Sequence, residues 1–233
     1  MKTSLTRNFL ILLSALSTLV LSNMSFATAV HSGDVQQSWN FKVFLDDKPI
    51  GFHQVRIDRE DNRKAVHTKA EFDVRFMFIP VYSYNHESRE NWRNGCLKTI
   101  QTATDDNGDE YYVKTSRANR GLAIETREGS RTIDGCVRTF AYWDPQLLKS
   151  ERLLNTQTGK YEKVVVVDRG TGTLNVNDFT YQARQFSLDV EGTTIDLWYT
   201  EDMRWLALET ETSNGARLRY LPEKLNMARV DES

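Results

Sequence analysis

The chain has 233 residues, of which 39% are hydrophobic and 27% are charged, and its formal net charge is -2. These values are typical of an ordinary globular domain, and they exclude disordered and collagen-like chains. The 30 basic residues nearly balance the 32 acidic ones, and no run of Lys or Arg exceeds two residues. The sequence therefore predicts no nucleic-acid partner.

The first 27 residues have the pattern of a secretory signal peptide. Two basic residues precede an apolar run from Phe9 to Leu21, and that run is shorter than the roughly 20 residues of a membrane-spanning helix. Ser25 and Ala27 then supply small side chains in front of a cleavage site. We predict cleavage after Ala27, with Ala29 as the second choice, and therefore a periplasmic protein that is not embedded in a membrane.

The two cysteines of the chain, Cys96 and Cys136, each follow a turn dipeptide that ends in glycine. An even number of cysteines in an exported protein favours a disulfide. The pattern predicts a Cys96–Cys136 bond that joins two hairpin ends. A redox-active thiol and a metal ligand are weaker alternatives, because the sequence has neither a C-x-x-C motif nor a histidine close to either cysteine.

From Gln37 onward, short runs of alternating apolar and polar residues are separated by turn residues, and helical periodicity is nearly absent. That pattern is typical of antiparallel hairpins. We predict about eleven to thirteen strands in one domain over residues 28–233, which is too many for a small flat sheet. The predicted fold class is therefore all-β, with a strongly curved antiparallel sheet or an incomplete β-barrel. The clearest later strands are Lys163–Asp168, Phe179–Val190, Thr193–Tyr199, Arg204–Thr212 and Ala216–Leu221.

Three segments interrupt this pattern. Asp144 followed by Pro145 combines a good N-cap with a proline at the first helical position, so we predict one short helix that ends near Lys149. The run Asp105–Asp109 predicts a hairpin turn. The run Gly170–Thr173 lacks the lysine and the helix of a phosphate-binding loop, and we interpret it as a turn as well.

The sequence lacks the motifs of several enzyme classes. It contains no G-x-S-x-G elbow, P-loop, dinucleotide fingerprint or paired C-x-x-C motif. The segment from His86 to Glu90 approaches a zinc-protease motif, but a glutamate stands where the second histidine is required. We therefore assign no metal, no cofactor and no catalytic residue.

The segment Phe72–Trp92 is the most informative part of the chain. It is too long for one strand, so Pro80 is expected to mark a bend or the change from one strand to the next. The run Phe76–Val81 is apolar at both parities, which fits a strand buried on both faces or a strand whose second face lines an apolar cavity.

Tyr84, His86, Glu90 and Trp92 share one parity and form a mixed aromatic and titratable row. Such a row fits a hydrogen-bonded structural ladder at the rim of the sheet, or an active site. The corner Tyr142-Trp143 is interpreted as core and turn, with a rim of the same pocket as the alternative. The candidate ligand-binding residues are Phe76, Phe78, Tyr82, Tyr84, His86, Glu90, Trp92, Tyr142 and Trp143.

Three blocks carry a resemblance to a known family. They are Tyr82-Ser83-Tyr84-Asn85-His86-x-Ser88-Arg89-Glu90-x-Trp92 with Gly95-Cys96-Leu97, then Ala141-Tyr142-Trp143-Asp144-Pro145 with Leu153-Leu154-Asn155, and Asp196-Leu197-Trp198-Tyr199 with Arg204-Trp205. Together they resemble a family of secreted bacterial proteins recorded as a domain of unknown function. The resemblance covers nearly the whole mature chain and implies no activity. More loosely, the architecture is similar to periplasmic outer-membrane lipoprotein carriers, whose open β-barrel wraps a hydrophobic cavity, and this analogy assigns no residue.

A sheet with many strands and little helix has a concave face that side chains or a ligand must fill. The sequence therefore favours an exported protein that binds an apolar or lipid-like small molecule. One alternative is an envelope hydrolase in which His86 and Glu90 act as acid and base. Another is a non-catalytic assembly protein that binds an envelope protein through a sheet edge or the helix corner.

Overall fold

The computed structural model describes residues 35–118, 121–176 and 179–224. The predicted signal peptide and the predicted start of the domain at residue 28 lie outside these residues. Within them, no helix has the length and apolar character needed to cross a membrane.

Fourteen antiparallel strands form one sheet in the described part of the chain. The strands are β1 (Val35–Leu45), β2 (Lys48–Glu60), β3 (Arg63–Phe76), β4 (Ile79–Arg93), β5 (Cys96–Asp106), β6 (Asp109–Arg117), β7 (Gly121–Thr126), β8 (Gly129–Asp134), β9 (Arg152–Leu154), β10 (Tyr161–Val176), β11 (Phe179–Val190), β12 (Thr193–Tyr199), β13 (Trp205–Glu211) and β14 (Arg217–Pro222).

Strand β1 lies in the middle of the sheet, because it pairs with both β2 and β14. The sheet runs outward from β1 in two directions, through β2 to β8 and through β14 back to β9. Its edge strands, β8 and β9, are not paired with each other in the described residues. One core nevertheless contains Ile133 of β8 and Leu153 of β9, so the sheet curls without closing. The predicted all-β fold with an incomplete barrel is confirmed.

The segment of residues 135–160, which connects β8 to β10 and includes β9, packs into the main core; we call it the interior segment. Trp143 meets the ring of Trp92 in β4, with centroids 5.5 Å apart. Tyr199 in β12 donates a hydrogen bond to the carbonyl oxygen of Tyr142 at 2.9 Å. The interior segment therefore joins the two halves of the sheet. Its buried apolar residues are Val137, Ala141, Trp143, Leu147, Leu153 and Leu154.

The predicted short helix lies in the interior segment. Pro145–Lys149 form a 3-10 helix, and the side chain of Asp144 accepts a hydrogen bond from the backbone N–H of Gln146 at 3.4 Å. Leu147 is the buried residue of this helix. The helix and its N-cap agree with the prediction from the sequence.

A second, smaller core lies on the opposite face of the later strands. Consecutive residues of β13 belong to different cores, because Trp205 packs in the main core and Leu206 packs with Leu174, Tyr181 and Trp198. Successive side chains of a strand point to opposite faces. Strand β13 is therefore buried on both faces, whereas most strands have one exposed face.

The disulfide prediction is confirmed. Cys96, the first residue of β5, is bonded to Cys136 of the interior segment, and the two Cα atoms lie 5.1 Å apart. The turn before Cys96 consists of Asn94 and Gly95, whose φ angles are 53° and 71°. Asn and Gly adopt this left-handed conformation at low cost, which favours the tight turn. The bond anchors the β4–β5 turn to the interior segment.

Some of the predicted boundaries are wrong. The run Gly170–Thr173 is part of β10 and not a turn, because a bulge after Asp168 lets the strand continue in a new register. The strand count is fourteen within the described residues, one above the predicted range, since short strands such as β9 have little periodicity. The strands Phe179–Val190 and Thr193–Tyr199 and the turn within Asp105–Asp109 agree with the prediction.

The run Met77–Val81, which we call the hairpin tip, lies where the β3–β4 hairpin projects beyond its neighbours. Pairing with β2 ends at Phe72 and pairing with β5 ends at Tyr84. No neighbouring strand of the described residues covers the hairpin tip, and Phe78 is 93% exposed and Met77 78% exposed. The expectation of a buried strand or a cavity wall is therefore wrong for these residues. The reversal occurs at Met77 and Phe78, so Pro80 stands one residue inside β4.

Candidate ligand-binding cavity

The inner face of β4 carries the mixed row that the sequence predicted. Side chains of this strand alternate between buried and exposed from Tyr84 to Arg93, and His86, Ser88, Glu90 and Trp92 all point to the buried side. The alternation arises because successive side chains of a strand point to opposite faces, and only one face of β4 points into the curled sheet. Over this stretch β4 is paired with both β3 and β5. The row therefore lies on one face, as expected from its parity.

Glu90 is held by two hydrogen bonds from its own strand. The Ser88 hydroxyl donates to Oε1 at 3.0 Å, and the indole N–H of Trp92 donates to Oε2 at 2.6 Å. The residue is only 6% exposed. Burial raises the pKa of Glu90 to about 7, although both hydrogen bonds favour the ionised form. The carboxyl group therefore changes its charge near neutral pH.

The two histidines of this region are held in their neutral form. Nδ1 of His86 lies 2.7 Å from the hydroxyl of Thr104 in β5, and the residue is buried. Burial lowers the pKa of His86 to about 4. His53 in β2 has a pKa lowered to about 3, first by burial and then by repulsion from His86. Neither ring carries a positive charge at neutral pH.

A cavity of about 500 Å³ opens next to this row. It lies between strands of both halves of the sheet and the interior segment, and Glu191 and Thr193 are exposed where it meets the solvent. The lining residues used below are His53, Ala70, Tyr84, His86, Ser88, Glu90, Thr139, Tyr142, Trp143, Gln157, Glu162, Glu191, Trp205 and Tyr220.

Aromatic side chains from several elements meet around the cavity. Tyr142 of the interior segment contacts Trp205 of β13, with ring centroids 5.4 Å apart. Tyr220 of β14 meets the ring of His53 edge-on at 5.2 Å, and Tyr84 stacks on Phe72 at 5.1 Å. Edge-to-face and stacked contacts are arrangements that aromatic pairs prefer. These rings form aromatic walls of the cavity.

A polar chain links the β3–β4 hairpin to the interior segment. The hydroxyl of Tyr84 donates to Oε1 of Gln157 at 3.1 Å, and Nε2 of Gln157 donates to Asp106 at 3.0 Å. The hydroxyl of Tyr82 donates to the other oxygen of Asp106 at 2.8 Å. Tyr82 therefore supports this side of the cavity without lining it.

Two polar atoms of the lining are buried and have no hydrogen-bond partner in the described part of the chain. They are Oγ1 of Thr139 and Nδ1 of His53. Thr139 is only 1% exposed. A buried polar atom without a partner costs about 1 to 3 kcal/mol, so such atoms are rare except where a ligand or water completes them.

The cavity brings together part of the predicted set. Tyr84, His86, Glu90, Tyr142 and Trp143 line it. Trp92 lies behind Glu90 as its hydrogen-bond donor, and Phe78 lies at the hairpin tip, away from the cavity. The side chain of Phe76 lies outside the described part of the structure.

The sequence did not identify several lining residues on other strands. His53, Thr139, Trp205 and Tyr220 belong to elements far apart in the chain. The alternation of Trp39, Phe41 and Val43 marks the inner face of β1, but nothing in the sequence pairs β1 with β14. Among the described residues, no three His, Cys, Asp or Glu side chains are placed to hold a metal ion.

The comparisons with known proteins agree with this fold. The crystal structure of a beta-barrel-like protein of domain of unknown function DUF1849 from Brucella abortus is similar over 83% of this chain and 98% of that chain, with a TM-score of 0.56 and 8% identity. That likeness concerns the fold. No curated protein matches the chain. The family described as "Domain of unknown function (DUF6134)" matches residues 41–223, and the chain therefore belongs to that family.

Proposed function

We propose that the protein binds a small organic molecule with an apolar portion in this cavity. The observation that carries the proposal is a space of about 500 Å³ that is walled by aromatic side chains and contains buried polar atoms without partners. Ligand sites in proteins are mostly concave, largely aromatic and apolar, and about 300 to 1,000 Å³ in volume. The cavity has a volume in this range and aromatic side chains in its walls, and its lining is about equally polar and apolar.

The mixed lining favours an amphipathic ligand over a purely apolar one. Tyr142, Trp205 and Tyr220 offer ring surfaces to an apolar body. Thr139 and Glu90 offer buried polar groups to a hydrogen-bonding end. A hydrocarbon alone would leave the hydroxyl of Thr139 without a partner, which is costly in a buried site.

The hydrolase alternative gains no support from the geometry. His86 and Glu90 are four residues apart on one strand, which corresponds to about 13 Å along the backbone. Each has other partners, Thr104 for His86 and Ser88 with Trp92 for Glu90. An acid and a base that work together must both reach the same reacting group. Ligand binding is therefore the function that this arrangement favours.

Export of the protein is part of the proposal. It depends on the signal-peptide pattern of residues 1–27. The Cys96–Cys136 disulfide supports it, because such bonds persist mainly in oxidising compartments such as the periplasm. Intact mass of the exported protein tests it, with a chain that begins at Thr28 as the expected result and a chain that retains Met1 as the contradicting one.

Two alanines of β3 allow a matched test of the cavity. Ala70 is buried and lines the cavity, whereas Ala65 is exposed on the opposite face of the same strand. The variant Ala70→Phe places a ring in the cavity and is expected to weaken binding of the fluorescent probe N-phenyl-1-naphthylamine by about tenfold or more. Ala65→Phe adds the same ring outside and is expected to leave probe binding unchanged.

Melting temperatures of both variants must be measured beside binding, because a ring added to a packed core can also destabilise the fold. Thr68→Trp supplies a second blocking variant at another lining position of β3. Unchanged probe binding in both folded blocking variants, or no binding by the unmodified protein, would contradict the proposal.

A further inference from the structure

The cavity lining is acidic. Glu90 is buried, Glu162 is half-buried and Glu191 stands at the exposed end. Among the described residues of the lining, none is Lys or Arg. Negative side chains in a cleft with low-dielectric walls concentrate cations and repel anions.

The histidines do not offset this negative charge. His86 and His53 both have pKa values lowered by burial, to about 4 and about 3, so both rings are neutral at pH 7. An anionic group in the cavity would lose its hydration and find no Lys or Arg among the described lining residues to replace it. Burying an unpaired charge in this way is strongly unfavourable.

The aromatic walls favour the opposite charge. Tyr142, Trp205 and Tyr220 line the cavity. Tyr84 and Trp143 line it as well, but Tyr84 stacks with Phe72 and His86, and the ammonium group of Lys64 lies 4.6 Å from the Trp143 ring centroid. The face of an aromatic ring carries partial negative charge, and it attracts an ammonium group that lies within about 6 Å of the ring centroid. Acidic side chains and ring faces together form the environment in which proteins hold organic cations.

The unpartnered polar atoms are an independent observation that points to a ligand in the cavity. Oγ1 of Thr139, in a residue that is 1% exposed, can accept or donate a hydrogen bond, and Nδ1 of His53 accepts one in the tautomer that carries its proton on Nε2. Oε2 of Glu90 is a further acceptor, although it already receives the N–H of Trp92. An ammonium group is a donor only, so acceptors are what it requires.

We infer that the ligand is an amphipathic organic cation, in which an amine group faces Glu90 and Thr139 and an apolar body lies on the aromatic walls. This inference rests on the proposed function, and it names the chemical class of the ligand for that same cavity. It excludes fatty acids as the preferred ligands, since their carboxylate would face three glutamates.

A series of three compounds with the same ten-carbon chain tests the inference. Decylamine is a cation, decanol is neutral and decanoate is an anion at pH 8, so the compounds share an alkyl chain and differ in their head groups. Their dissociation constants are measured at pH 8 by quenching of the tryptophan fluorescence and by displacement of N-phenyl-1-naphthylamine. We expect decylamine to bind at least about tenfold more tightly than decanoate, with decanol between them.

Variants of the acidic lining residues show whether a preference for decylamine comes from their negative charge. Glu90→Gln and Glu162→Gln each remove one negative charge from the lining. Each is expected to weaken decylamine binding more than decanol binding, so that the ratio of decylamine to decanol affinity falls. Glu87→Gln is the matched control. It removes one charge from the opposite face of β4, where Glu87 pairs with His67 and Arg89 outside this cavity.

The outcomes separate the two proposals. Binding of decanoate as tight as that of decylamine, or a preference for decylamine that survives both lining variants, overturns the inference and leaves the cavity as a ligand site. Binding of none of the three compounds overturns the proposed function as well. If Glu90→Gln does not fold, the ratio of decylamine to decanol affinity is still measured for Glu162→Gln and for the unmodified protein, and the comparison of these two ratios is decisive.

Discussion

The β3–β4 hairpin exposes apolar side chains at one end and buries titratable side chains at the other, which is the opposite of the usual distribution in a globular protein. At the hairpin tip, Phe78 and its neighbours are apolar and exposed, whereas in the cavity half of β4 (Tyr84–Trp92) His86 and Glu90 are titratable and buried. The difference follows from the neighbours of the strand. Pairing with β2 and β5 ends at Phe72 and Tyr84, so only the cavity half lies inside the curled sheet.

In this curled sheet, the polarity of a run of residues does not determine whether that run is buried. The cavity half carries polar groups into the interior because hydrogen bonds satisfy them there, as Ser88 and Trp92 do for Glu90. The hairpin tip keeps apolar groups in solvent because no element packs on it in the described residues. Substitutions in the hairpin and at the disulfide test this contrast.

Trp92→Ala is expected to have the largest effect on stability. Trp92 is 2% exposed, packs against Trp143 and donates to Glu90, so its removal leaves a cavity and an unsatisfied carboxyl oxygen. Truncation of a buried tryptophan costs about 3 to 5 kcal/mol. Urea unfolding of the variant measures this loss. A loss below about 1 kcal/mol would show that the cavity half is not packed as described.

Removal of the disulfide is expected to have the next largest effect. Cys96 and Cys136 enclose 40 residues of sequence, for which the chain-entropy relation gives about 3 to 4 kcal/mol. The double variant to serine should therefore melt at a lower temperature and release the interior segment from the cavity half. Loss of probe binding should accompany this destabilisation. A variant with unchanged melting would contradict the anchoring role of the bond.

Glu90→Gln is expected to stabilise the protein in a pH-dependent way. Because burial raises the pKa of Glu90 from about 4.5 to about 7, the folded state holds a proton that the unfolded state releases. The stabilising contribution of Glu90 is complete below pH 4.5 and is lost as the pH rises through 7. The glutamine variant does not suffer this loss, so the difference between the two proteins should grow with pH.

The difference should approach on the order of 3 kcal/mol above pH 7, since each unit of pKa shift corresponds to about 1.4 kcal/mol. Unfolding free energies at pH 5, 6, 7 and 8 measure it. The histidines titrate in both proteins and cancel in the comparison. A difference that stays constant over this range would contradict the burial of Glu90 as an acid.

Phe78→Ser is expected to have the smallest effect. The side chain is 93% exposed, and surface substitutions of this kind usually change stability by no more than about 0.5 kcal/mol. Binding of the ten-carbon compounds should also be unchanged, because Phe78 does not line the cavity. Unfolding and fluorescence titration measure both. A loss of several kcal/mol would place the hairpin tip in a core.

Much of the fold could be predicted from the sequence because the patterns that indicate it are local. Alternation and turn residues identified the hairpins, the N-cap identified the helix at Asp144, and the even cysteine count identified the disulfide. The parity of Tyr84, His86 and Glu90 placed them on one face. These properties depend on residues that are close together in the chain.

The hairpin tip and the far side of the cavity depend on contacts that are distant in sequence. The run Met77–Val81 is apolar at both parities, and this pattern is the same whether or not neighbouring strands cover the run. Its exposure can be known only from the positions at which β2 and β5 stop pairing. Trp205 and Tyr220 reach the cavity only because β1 pairs with β14, which no local pattern in the sequence indicates.

A crystal structure of the protein with the tightest-binding member of the ten-carbon series is the decisive test of ligand binding in the cavity. We expect electron density for the compound in the cavity, with its head group near Glu90 and its chain along Tyr142 and Trp205. An empty cavity, with the compound bound instead on Phe78 and Ile79 of the hairpin tip, would contradict it.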